Sequence, residues 1–316
     1  MEWRQLGETG LRLSAIGLGT MSWGRDTDEH EATEQFEIFL EAGGSLIDTA
    51  PTYADGAALT IIGGLIAGVQ RDEVVLSVRS GVAQGRVNAS RGALLDSLDN
   101  TLRSLSTDHL DLWQVVAPDP ATPVQETLSA LEYAVSSGRV RYVGLANHAA
   151  WQVAQAATIL ADGPGLACAQ TEYSLLNRQA DTDLLPAAAA LGVGVIGWSP
   201  LGRGVLSAKY RHSVPADSRA ASPHLRGFVE PYLTASARTV VEALATAADG
   251  LGRAPVEVAL AWARDASQID SVLVGARTPA QLKGALAATD FSLPEQIRLA
   301  LDDVAVSAQA AAATPS

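Results

Sequence analysis

The sequence predicts an α/β fold, a (β/α)8 TIM barrel with an N-terminal β-hairpin and a long loop after strand 7. Eight short runs rich in Val, Ile and Leu alternate with longer segments of helical periodicity. The runs mostly lack polar alternation, as expected of strands buried on both faces. A doubly wound sheet is the rival, but its usual G-x-G-x-x-G is absent from "GLGTMSWG" at 17–24. The predicted strands are Ala15–Leu18, Ser45–Asp48, Val74–Val78, Leu110–Val116, Val140–Leu145, Ala167–Gln170, Val193–Trp198 and Ser271–Val274.

The sequence predicts one (β/α)8 barrel domain covering residues 1–316, which includes three segments outside the strand–helix repeat. The N-terminal "WRQLGETGLRLS" is expected to form a hairpin, with its turn at Gly7–Gly10, which can close the barrel floor. Leu201–Leu233 is rich in Pro, Ser, Gly and Arg, and a loop of that length in a compact domain is usually functional. Residues 306–316 are expected to form a flexible tail.

Helices are predicted where apolar residues recur at helical spacing. Leu94–Leu105 shows this spacing, and so does Val124–Val135. The second of these helices should have Thr122 as its N-cap, Pro123 at its first position and Gly138 just past its end. Further helices are expected over Val240–Leu251 and, opened by Pro255, over Val256–Arg264.

Composition narrows the function classes. With 316 residues, 47% of them hydrophobic, the chain can bury a large core, and no apolar run is long enough to span a bilayer. A single cysteine, Cys168, excludes an intrachain disulfide, and "MEWRQLGETG" does not resemble a secretory signal, so a cytoplasmic location is expected. The net charge of −13 argues against nucleic acid as a partner, because a phosphate backbone would be repelled. Nothing in the sequence indicates an oligomeric state.

Active sites of such barrels lie at the carboxyl ends of the strands. The residues found there include a carboxylate, an arginine, two amides and several aromatic side chains. The five histidines are scattered and show no metal-ligand spacing, so no metal site is expected. In strand order the residues are Gly19-Thr20, Asp48-Thr49, Arg79-Ser80, Val116, Ala146-Asn147-His148, Gln170 with Glu172-Tyr173, Trp198-Ser199 and Gly275-Ala276-Arg277.

Five segments, taken in order, resemble the aldo-keto reductase superfamily over essentially the whole chain. The resemblance implies an NADP(H)-binding barrel, without a Rossmann fold, that reduces aldehydes or ketones. The segments are "LIDTAPTY" (46–53), "VRYVGLAN" (140–147), "QTEYSLLNR" (170–178), "WSPLGRGVLSAKY" (198–210) and "VGARTPAQL" (274–282).

The resemblance implies four catalytic positions, and this sequence departs from the family at two. Asp48 and Tyr53 match the aspartate and the tyrosine acid, whereas Arg79 stands where the family has lysine and Val116 where it has histidine. Arg79 keeps a positive charge that can lower the pKa of Tyr53, but arginine releases no proton at working pH. Val116 should share a strand face with Gln114 and makes that wall of the pocket apolar. A missing oxyanion donor typically costs a factor of about 10²–10³ in rate, so weakened carbonyl activation is expected.

The resemblance also implies the residues that hold the cofactor. Trp198 is expected to pack on the nicotinamide, with Asn147 and Gln170 near its amide. Arg203 and Arg277 are candidates for the 2′-phosphate, because guanidinium binds phosphate in a bidentate manner, and NADP(H) should be preferred over NAD(H). The full expected set is Gly19, Thr20, Asn147, Gln170, Trp198, Ser199, Leu201, Arg203, Gly204, Lys209, Gly275, Arg277 and Gln281.

Three hypotheses about function follow. The first is an NADPH-dependent reductase for a bulky, apolar carbonyl substrate, with Tyr53 as the acid and Arg79–Asp48 tuning it. The second is a non-redox enzyme on the same fold, an isomerase, dehydratase or cyclase. The third is a cofactor-binding protein whose catalytic site has decayed, with Arg79–Asp48 a structural ion pair only. His148 is a further catalytic candidate, and His212 and His224 lie in the long loop that could reach the site.

Overall fold

Eight parallel strands close into a barrel in the computed structural model, which describes residues 1–216 and 218–313. Each strand pairs with its neighbours in chain order, and the last pairs with the first. The (β/α)8 prediction is therefore confirmed. The strands are β1 Ile16–Gly19, β2 Leu46–Thr49, β3 Val75–Ser80, β4 Leu110–Val115, β5 Val140–Ala146, β6 Cys168–Glu172, β7 Gly194–Trp198 and β8 Ser271–Val274.

Helices surround the barrel. Trp113 and Val115 of β4 point outward and are buried in one cluster with helix residues such as Leu94 and Leu98. The helices are α1 Glu29–Glu41, α2 Ala57–Ile66, α3 Arg91–Leu105, α4 Val124–Ser136, α5 Ala150–Ile159, α6 Leu184–Ala190, α7 Arg226–Val229, α8 Ala235–Leu251, α9 Pro255–Arg264, α10 Pro279–Leu286 and α11 Glu295–Ala313. Short 3-10 helices cover Tyr53–Gly56, Arg71–Glu73, Gln179–Asp181, Gly202–Ser207, Arg219–Ala221, Glu230–Tyr232 and Ala287–Asp290.

The start of α4 differs by one residue from the sequence prediction. Pro123, rather than Thr122, occupies the N-cap, and no side chain caps this helix. The reason is Asp119, whose carboxylate accepts hydrogen bonds from the Thr122 hydroxyl at 2.7 Å and from the Ala121 amide at 2.9 Å, which holds Thr122 in the preceding turn. The predicted end is confirmed, since Gly138 follows the helix with φ +76°.

The N-terminal hairpin closes the floor of the barrel, as predicted. Its strands, Trp3–Gln5 and Arg12–Ser14, pair antiparallel. Leu6 and Leu13 are fully buried against side chains that point into the barrel. At the turn, the Glu8 amide donates to the carbonyl of Gly192 at 2.8 Å. The amino end of the barrel is thus packed shut, and only the carboxyl ends of the strands are left for a site.

The C-terminal segment is more helical than the sequence suggests. Residue 306 was expected to begin a flexible tail, but α11 continues to Ala313, and residues 314–316 of that prediction lie outside the described residues. Leu301, Ala305 and Ala308 share one helix face and are buried as α11 packs along α8. That apolar stripe gives the segment a reason to stay helical. Among the helices of the described residues, none is long and apolar enough to cross a bilayer.

Candidate active site

A buried carboxylate lies at the centre of the barrel mouth. Asp48, the penultimate residue of β2, is 1% exposed. Its Oδ2 accepts hydrogen bonds from Ser77 Oγ and from Gln170 Nε2, both at 2.9 Å, and its Oδ1 accepts one from Arg79 Nη2 at 2.9 Å. Donors from β3 and β6 therefore hold both oxygens of the carboxylate, and its orientation is set by the barrel itself.

Arg79 joins this carboxylate to a phenol. The same Nη2 that donates to Asp48 also donates to Tyr53 Oη, so Asp48, Arg79 and Tyr53 form one connected group, called the polar cluster below. Tyr53 follows β2 in a short 3-10 helix, where its amide donates to the Ala50 carbonyl at 3.0 Å. Because the phenol oxygen accepts from Arg79, its own proton is left for another acceptor; within 1–216 and 218–313 that proton has no partner.

The protonation of Tyr53 differs from the sequence expectation. Burial raises the pKa of Tyr53; the positive charge of Arg79 opposes that rise, and the negative charge of Asp48 adds to it. The expected lowering by Arg79 is thus present, but desolvation of the charged phenolate outweighs it. Tyr53 is a neutral phenol at ordinary pH, which is the form of an acid.

Val116 stands one residue beyond β4, at the mouth. Its amide donates to the Ser80 carbonyl at 2.8 Å, so it continues the ladder between β3 and β4. On the same strand, Leu112 is buried inside the barrel and Gln114 donates to Ser77 Oγ at 2.9 Å. By strand alternation the Val116 side chain shares their side and faces the mouth. This wall of the site offers methyl groups and no hydrogen-bond donor.

Asn147 ties the ends of three strands together. Its Nδ2 donates to the Val116 carbonyl at 2.8 Å, and its Oδ1 accepts from Trp198 Nε1 at 3.0 Å. Asn147 and Trp198, both expected to bind the cofactor, are thus brought together, and the indole N–H occupies the amide oxygen of Asn147. Gln170 differs: its Oε1 is buried and accepts no hydrogen bond from any described residue. Gln170, rather than Asn147, holds a ready acceptor at the mouth.

The three histidine candidates lie apart from the polar cluster. Nδ1 of His148 donates to the Ala146 carbonyl at 2.8 Å, and burial lowers the pKa of His148, which favours its neutral form. His224 pairs with Asp26, Nε2 to Oδ1 at 3.1 Å, and His212 is exposed. The structure therefore gives none of the three a contact with Asp48, Arg79 or Tyr53 in the described part of the chain.

Arg203, one of the two arginines expected to bind the 2′-phosphate, forms an internal ion pair in this structure. Its Nε and Nη2 donate to the two carboxylate oxygens of Glu172, at 2.8 and 2.6 Å, and its Nη1 donates to the Phe228 carbonyl at 2.7 Å. The guanidinium also lies 4.3 Å from the centre of the Phe228 ring and 5.0 Å from that of Tyr232. Glu172 ends β6 within reach of the loop, so Arg203 is committed to an internal ion pair.

A second arginine, which the sequence analysis missed, lies beside Arg277. Arg219 Nη2 donates to the Gly275 carbonyl at 3.4 Å, just past β8. Burial and then the nearby positive charge of Arg277 lower the pKa of Arg219. Two guanidinium groups placed this close favour an anion between them. Arg219 carries no motif; its one sequence signal is a cation inside a loop of functional length.

The turn after β8 is held by its own side chains. Gln281 Oε1 accepts from the Arg277 amide at 3.1 Å, and Thr278 Oγ1 caps α10 by accepting from the Gln281 amide at 3.3 Å. A methyl group on Gly275 would lie 3.3 Å from the Gly19 carbonyl, so the backbones of β1 and β8 approach closely here. Gln281 thus shapes the turn that carries Arg277.

The remaining predicted cofactor residues divide into two groups. Thr20 is fully buried, and its hydroxyl donates to the Asp48 carbonyl at 3.1 Å, so it links the end of β1 to β2. Ser199 and Leu201 form the turn after β7, where their carbonyls accept from the amides of Gly202 and Gly204, each at 2.9 Å. Lys209 lies against that turn, its Nζ 3.6 Å from the position a methyl group on Gly204 would take.

The geometry fits proton donation to a bound molecule. No group of three or more His, Cys, Asp or Glu side chains that could hold a metal ion occurs in residues 1–216 and 218–313. Cys168, a free thiol, is buried inside the barrel, and burial raises its pKa well above the usual value. At the mouth, the neutral phenol of Tyr53 can give a proton and the charged guanidinium of Arg79 can donate hydrogen bonds.

Comparison with known proteins gives a consistent assignment. A model of the aldo/keto reductase family matches residues 15–305. The chain is 37% identical over 321 residues to "Uncharacterized oxidoreductase YrpG" of Bacillus subtilis (strain 168), covering 96% of each chain. It is 30% identical over 303 residues to "Aldo-keto reductase YhdN" of the same organism, covering 93% of this chain and 90% of that one. It is also 29% identical over 314 residues to "Probable voltage-gated potassium channel subunit beta" of Arabidopsis thaliana, covering 96% and 95%.

Proposed function

The chain belongs to the aldo/keto reductase family, and from that premise we propose that it is an NADPH-dependent oxidoreductase that reduces a bulky, apolar carbonyl compound. One observation carries the proposal: Tyr53 Oη accepts a hydrogen bond from Arg79, which leaves the phenol proton directed to another acceptor. The family and the relatives named as oxidoreductases support the reaction class. The preference for NADPH and the substrate type are the parts that we propose.

The chain's own residues supply the proton and the positioning. When bound, the reduced nicotinamide supplies a hydride to the carbonyl carbon. The carbonyl oxygen gains the electron pair of its π bond and takes the proton from Tyr53 Oη, and the phenolate is then reprotonated from solvent. Arg79 holds the phenol oxygen during this transfer, and Asp48 holds Arg79. Aligning donor and acceptor in this way can lower the barrier by several kcal/mol, on the order of 7.

The residues at the mouth fit a phosphate-bearing dinucleotide. Gln170 Oε1 is a buried acceptor without a partner in the described residues, suited to a carboxamide N–H. Arg219 and Arg277 lie together just past β8, suited to a phosphate. The Trp198 indole is held by the hydrogen bond from its Nε1 to Asn147 Oδ1, and its ring face can pack against a flat heterocycle. These features support NADP(H) over NAD(H), because an extra phosphate gives two arginines an anion to bind.

The proposed substrate is a small molecule with a bulky apolar group at its carbonyl. Val116 leaves an apolar wall where the family has a hydrogen-bond donor, which weakens carbonyl activation from that side. The same change opens space for an apolar substituent. We place the protein in the cytoplasm, in keeping with its one buried free thiol, Cys168.

A non-redox reaction on the same fold is the second candidate. The observation in its favour is again Val116, since a site without that donor is a poorer carbonyl reductase but still offers the acid Tyr53. The arrangement of Arg79 between Asp48 and Tyr53 would serve either reaction.

Two measurements separate these proposals. Tryptophan fluorescence during titration with NADPH and NADH reports cofactor binding, and quenching is expected, stronger at a given concentration of NADPH. NADPH oxidation is then followed with aliphatic, branched and aryl aldehydes and ketones, and the apolar, branched compounds should react best. Quenching without oxidation of NADPH by any carbonyl would favour the non-redox reaction or a cofactor-binding protein. A folded protein with no quenching would overturn the proposal at its first step.

A further inference from the structure

Arg79 has more hydrogen-bond donors than its neighbours use. A guanidinium carries five N–H donors, and in this structure only Nη2 is engaged, with Asp48 and Tyr53. Nε is buried and has no partner among the described residues. Nη1 makes no hydrogen bond within residues 1–216 and 218–313, and the side chain keeps 13% of its surface exposed. A charged group at the mouth thus has donors left over.

The guanidinium is held in one orientation. Asp48, which binds Nη2, is itself held by Ser77 Oγ and Gln170 Nε2 at 2.9 Å each. Because Tyr53 Oη shares the same Nη2, the phenol and the guanidinium cannot turn independently. Nη1 is bonded to the same carbon as Nη2, which contacts Tyr53 Oη, so Nη1 is held near the phenol. The donor is preorganised before any substrate arrives.

We propose that Arg79 Nη1 donates the second hydrogen bond to the substrate oxygen as negative charge develops on it. The inference rests on the proposed function and extends it. Val116 removes a donor from the β4 side of the site, and Arg79 restores one from the β3 side. Arg79 keeps its proton throughout, since arginine does not deprotonate at working pH, and Tyr53 remains the group that transfers one. A preorganised charged donor of this kind is worth about 10²–10³ in rate.

Arg79 and Val116, which stand where the family has lysine and histidine, then have linked roles. A donor on β3 leaves the β4 side free of any polar group, so Val116 can contact the substituent of the carbonyl carbon. A branched or aryl substituent fits against methyl groups better than against an imidazole, because an imidazole N–H left without a partner in contact with it would cost free energy. The specificity consequence is a preference for carbonyl compounds with an apolar branch or ring next to the C=O bond.

A double-mutant cycle of Arg79→Lys and Val116→His tests the assignment. A lysine places one nitrogen between Asp48 and Tyr53, and that atom cannot also occupy the position of Nη1. We expect Arg79→Lys to lower kcat/KM by about 10²–10³, and Val116→His to recover at least about tenfold of that loss in the lysine background. In the arginine background, Val116→His should bring no gain in kcat/KM, because the second donor is already present, and it should lower kcat/KM for branched or aryl carbonyl compounds, because the imidazole replaces their apolar contact.

Either of two results overturns the proposal. The first is an Arg79→Lys enzyme within about threefold of the parent in kcat/KM. The second is a gain of more than about tenfold on Val116→His in the arginine background, which would mean that the parent lacks a second donor. The second result needs no change in the buried polar cluster, so it remains decisive if Arg79→Lys impairs folding.

A binding readout separates this inference from the proposed function. Octanoate carries a negative oxygen in the position of the reduced substrate's oxygen, and octanamide is its neutral control. Calorimetry in the presence of NADP+ measures both dissociation constants. Arg79→Lys should raise the Kd of octanoate at least about tenfold and change the Kd of octanamide by less than about threefold. Octanoate binding that depends on Arg79, in a parent that reduces no carbonyl, would overturn the reductase proposal and keep the donor assignment. Octanoate binding unaffected by Arg79→Lys would overturn the donor assignment even in an active reductase.

Discussion

Arg203 binds Glu172 through two parallel hydrogen bonds, Nε to Oε1 at 2.8 Å and Nη2 to Oε2 at 2.6 Å. The pair joins the loop after β7 to the end of β6, and it occupies two of the nitrogens with which Arg203 would bind the expected phosphate. Arg219, whose Nη2 donates to the Gly275 carbonyl, lies near enough to Arg277 past β8 to feel its charge. Which arginines bind the cofactor and which stabilise the loop are therefore separate, testable questions.

Substituting Arg219 or Arg277 with alanine should weaken NADPH much more than NADH. A hydrogen bond to a charged group contributes about 1.5–3 kcal/mol, so the Kd for NADPH should rise by about 10–150-fold. Fluorescence titration with both cofactors measures the ratio. Arg86→Ala is the matched loss of charge and should change neither Kd, since Arg86 is exposed in a short hairpin in which Val82–Ala83 pairs with Arg86–Val87. Equal losses for NADPH and NADH would contradict a role in binding the 2′-phosphate.

Arg203→Ala should destabilise the fold without changing the cofactor preference. Removing the arginine leaves Glu172, 9% exposed, without its cation. Breaking a buried pair costs about 3–5 kcal/mol, and since Arg203 keeps 18% of its side chain exposed we expect about 2–3 kcal/mol from urea unfolding. Arg211→Ala, which breaks a similar but solvent-exposed pair with Glu242, is the control and should leave the unfolding midpoint nearly unchanged. A selective loss of NADPH binding in Arg203→Ala would return Arg203 to the cofactor site.

Tyr53→Phe should remove the acid and leave the cofactor in place. Loss of a positioned general acid costs about 10²–10⁴ in rate, so kcat/KM should fall by that factor while the Kd for NADPH stays the same. Tyr133→Phe, on the exposed face of α4 with 54% of the residue accessible, is the matched control and should retain full activity. An active Tyr53→Phe enzyme would show that another group transfers the proton.

The value of kcat/KM should not fall between neutral pH and the ordinary pKa of a tyrosine, which is about 10. Activity needs the protonated phenol, which is present below the pKa of Tyr53 and lost above it. Burial raises that pKa above its ordinary value of about 10, so the alkaline limb should lie at or beyond that pH. A stopped-flow profile that avoids prolonged exposure to alkali measures it. A fall in kcat/KM near neutral pH that is absent from Tyr53→Phe would mean that Arg79 lowers the pKa of Tyr53 more than burial raises it.

Gly7→Ala should be strongly destabilising because the floor of the barrel has no room for it. Gly7 adopts φ +52°, and an added methyl carbon would lie 2.4 Å from the Gly194 amide nitrogen. Gly85→Ala is the matched control, since φ there is +73° but nothing lies within 4 Å of the new carbon. Strained backbone alone costs about 1–3 kcal/mol, so urea unfolding should show about that loss for Gly85→Ala and a clearly larger one for Gly7→Ala. Equal losses would mean that the hairpin shifts to make room.

Much of the site follows from chain order, because the ends of parallel strands meet at one face of a barrel. The sequence placed Asp48, Arg79 and Val116 at strand ends. Pairing of the strands in the barrel brings Arg79 Nη2 to 2.9 Å from Asp48 Oδ1. The partners of Thr20 and Asn147 were not predictable in this way. Each makes its hydrogen bonds with a neighbouring strand, and the register between strands decides which atom lies opposite.

The sequence by itself determined the barrel, its closed amino end and the set of side chains available at its mouth. Strand and helix periodicity, and the residue types that follow each strand, are local properties of the chain. Only the tertiary structure decided that Arg203 pairs with Glu172 while Arg219 joins Arg277, because an irregular loop has no periodicity from which to read its contacts. It also decided that burial outweighs the charge of Arg79 at Tyr53, since desolvation depends on everything packed around the phenol.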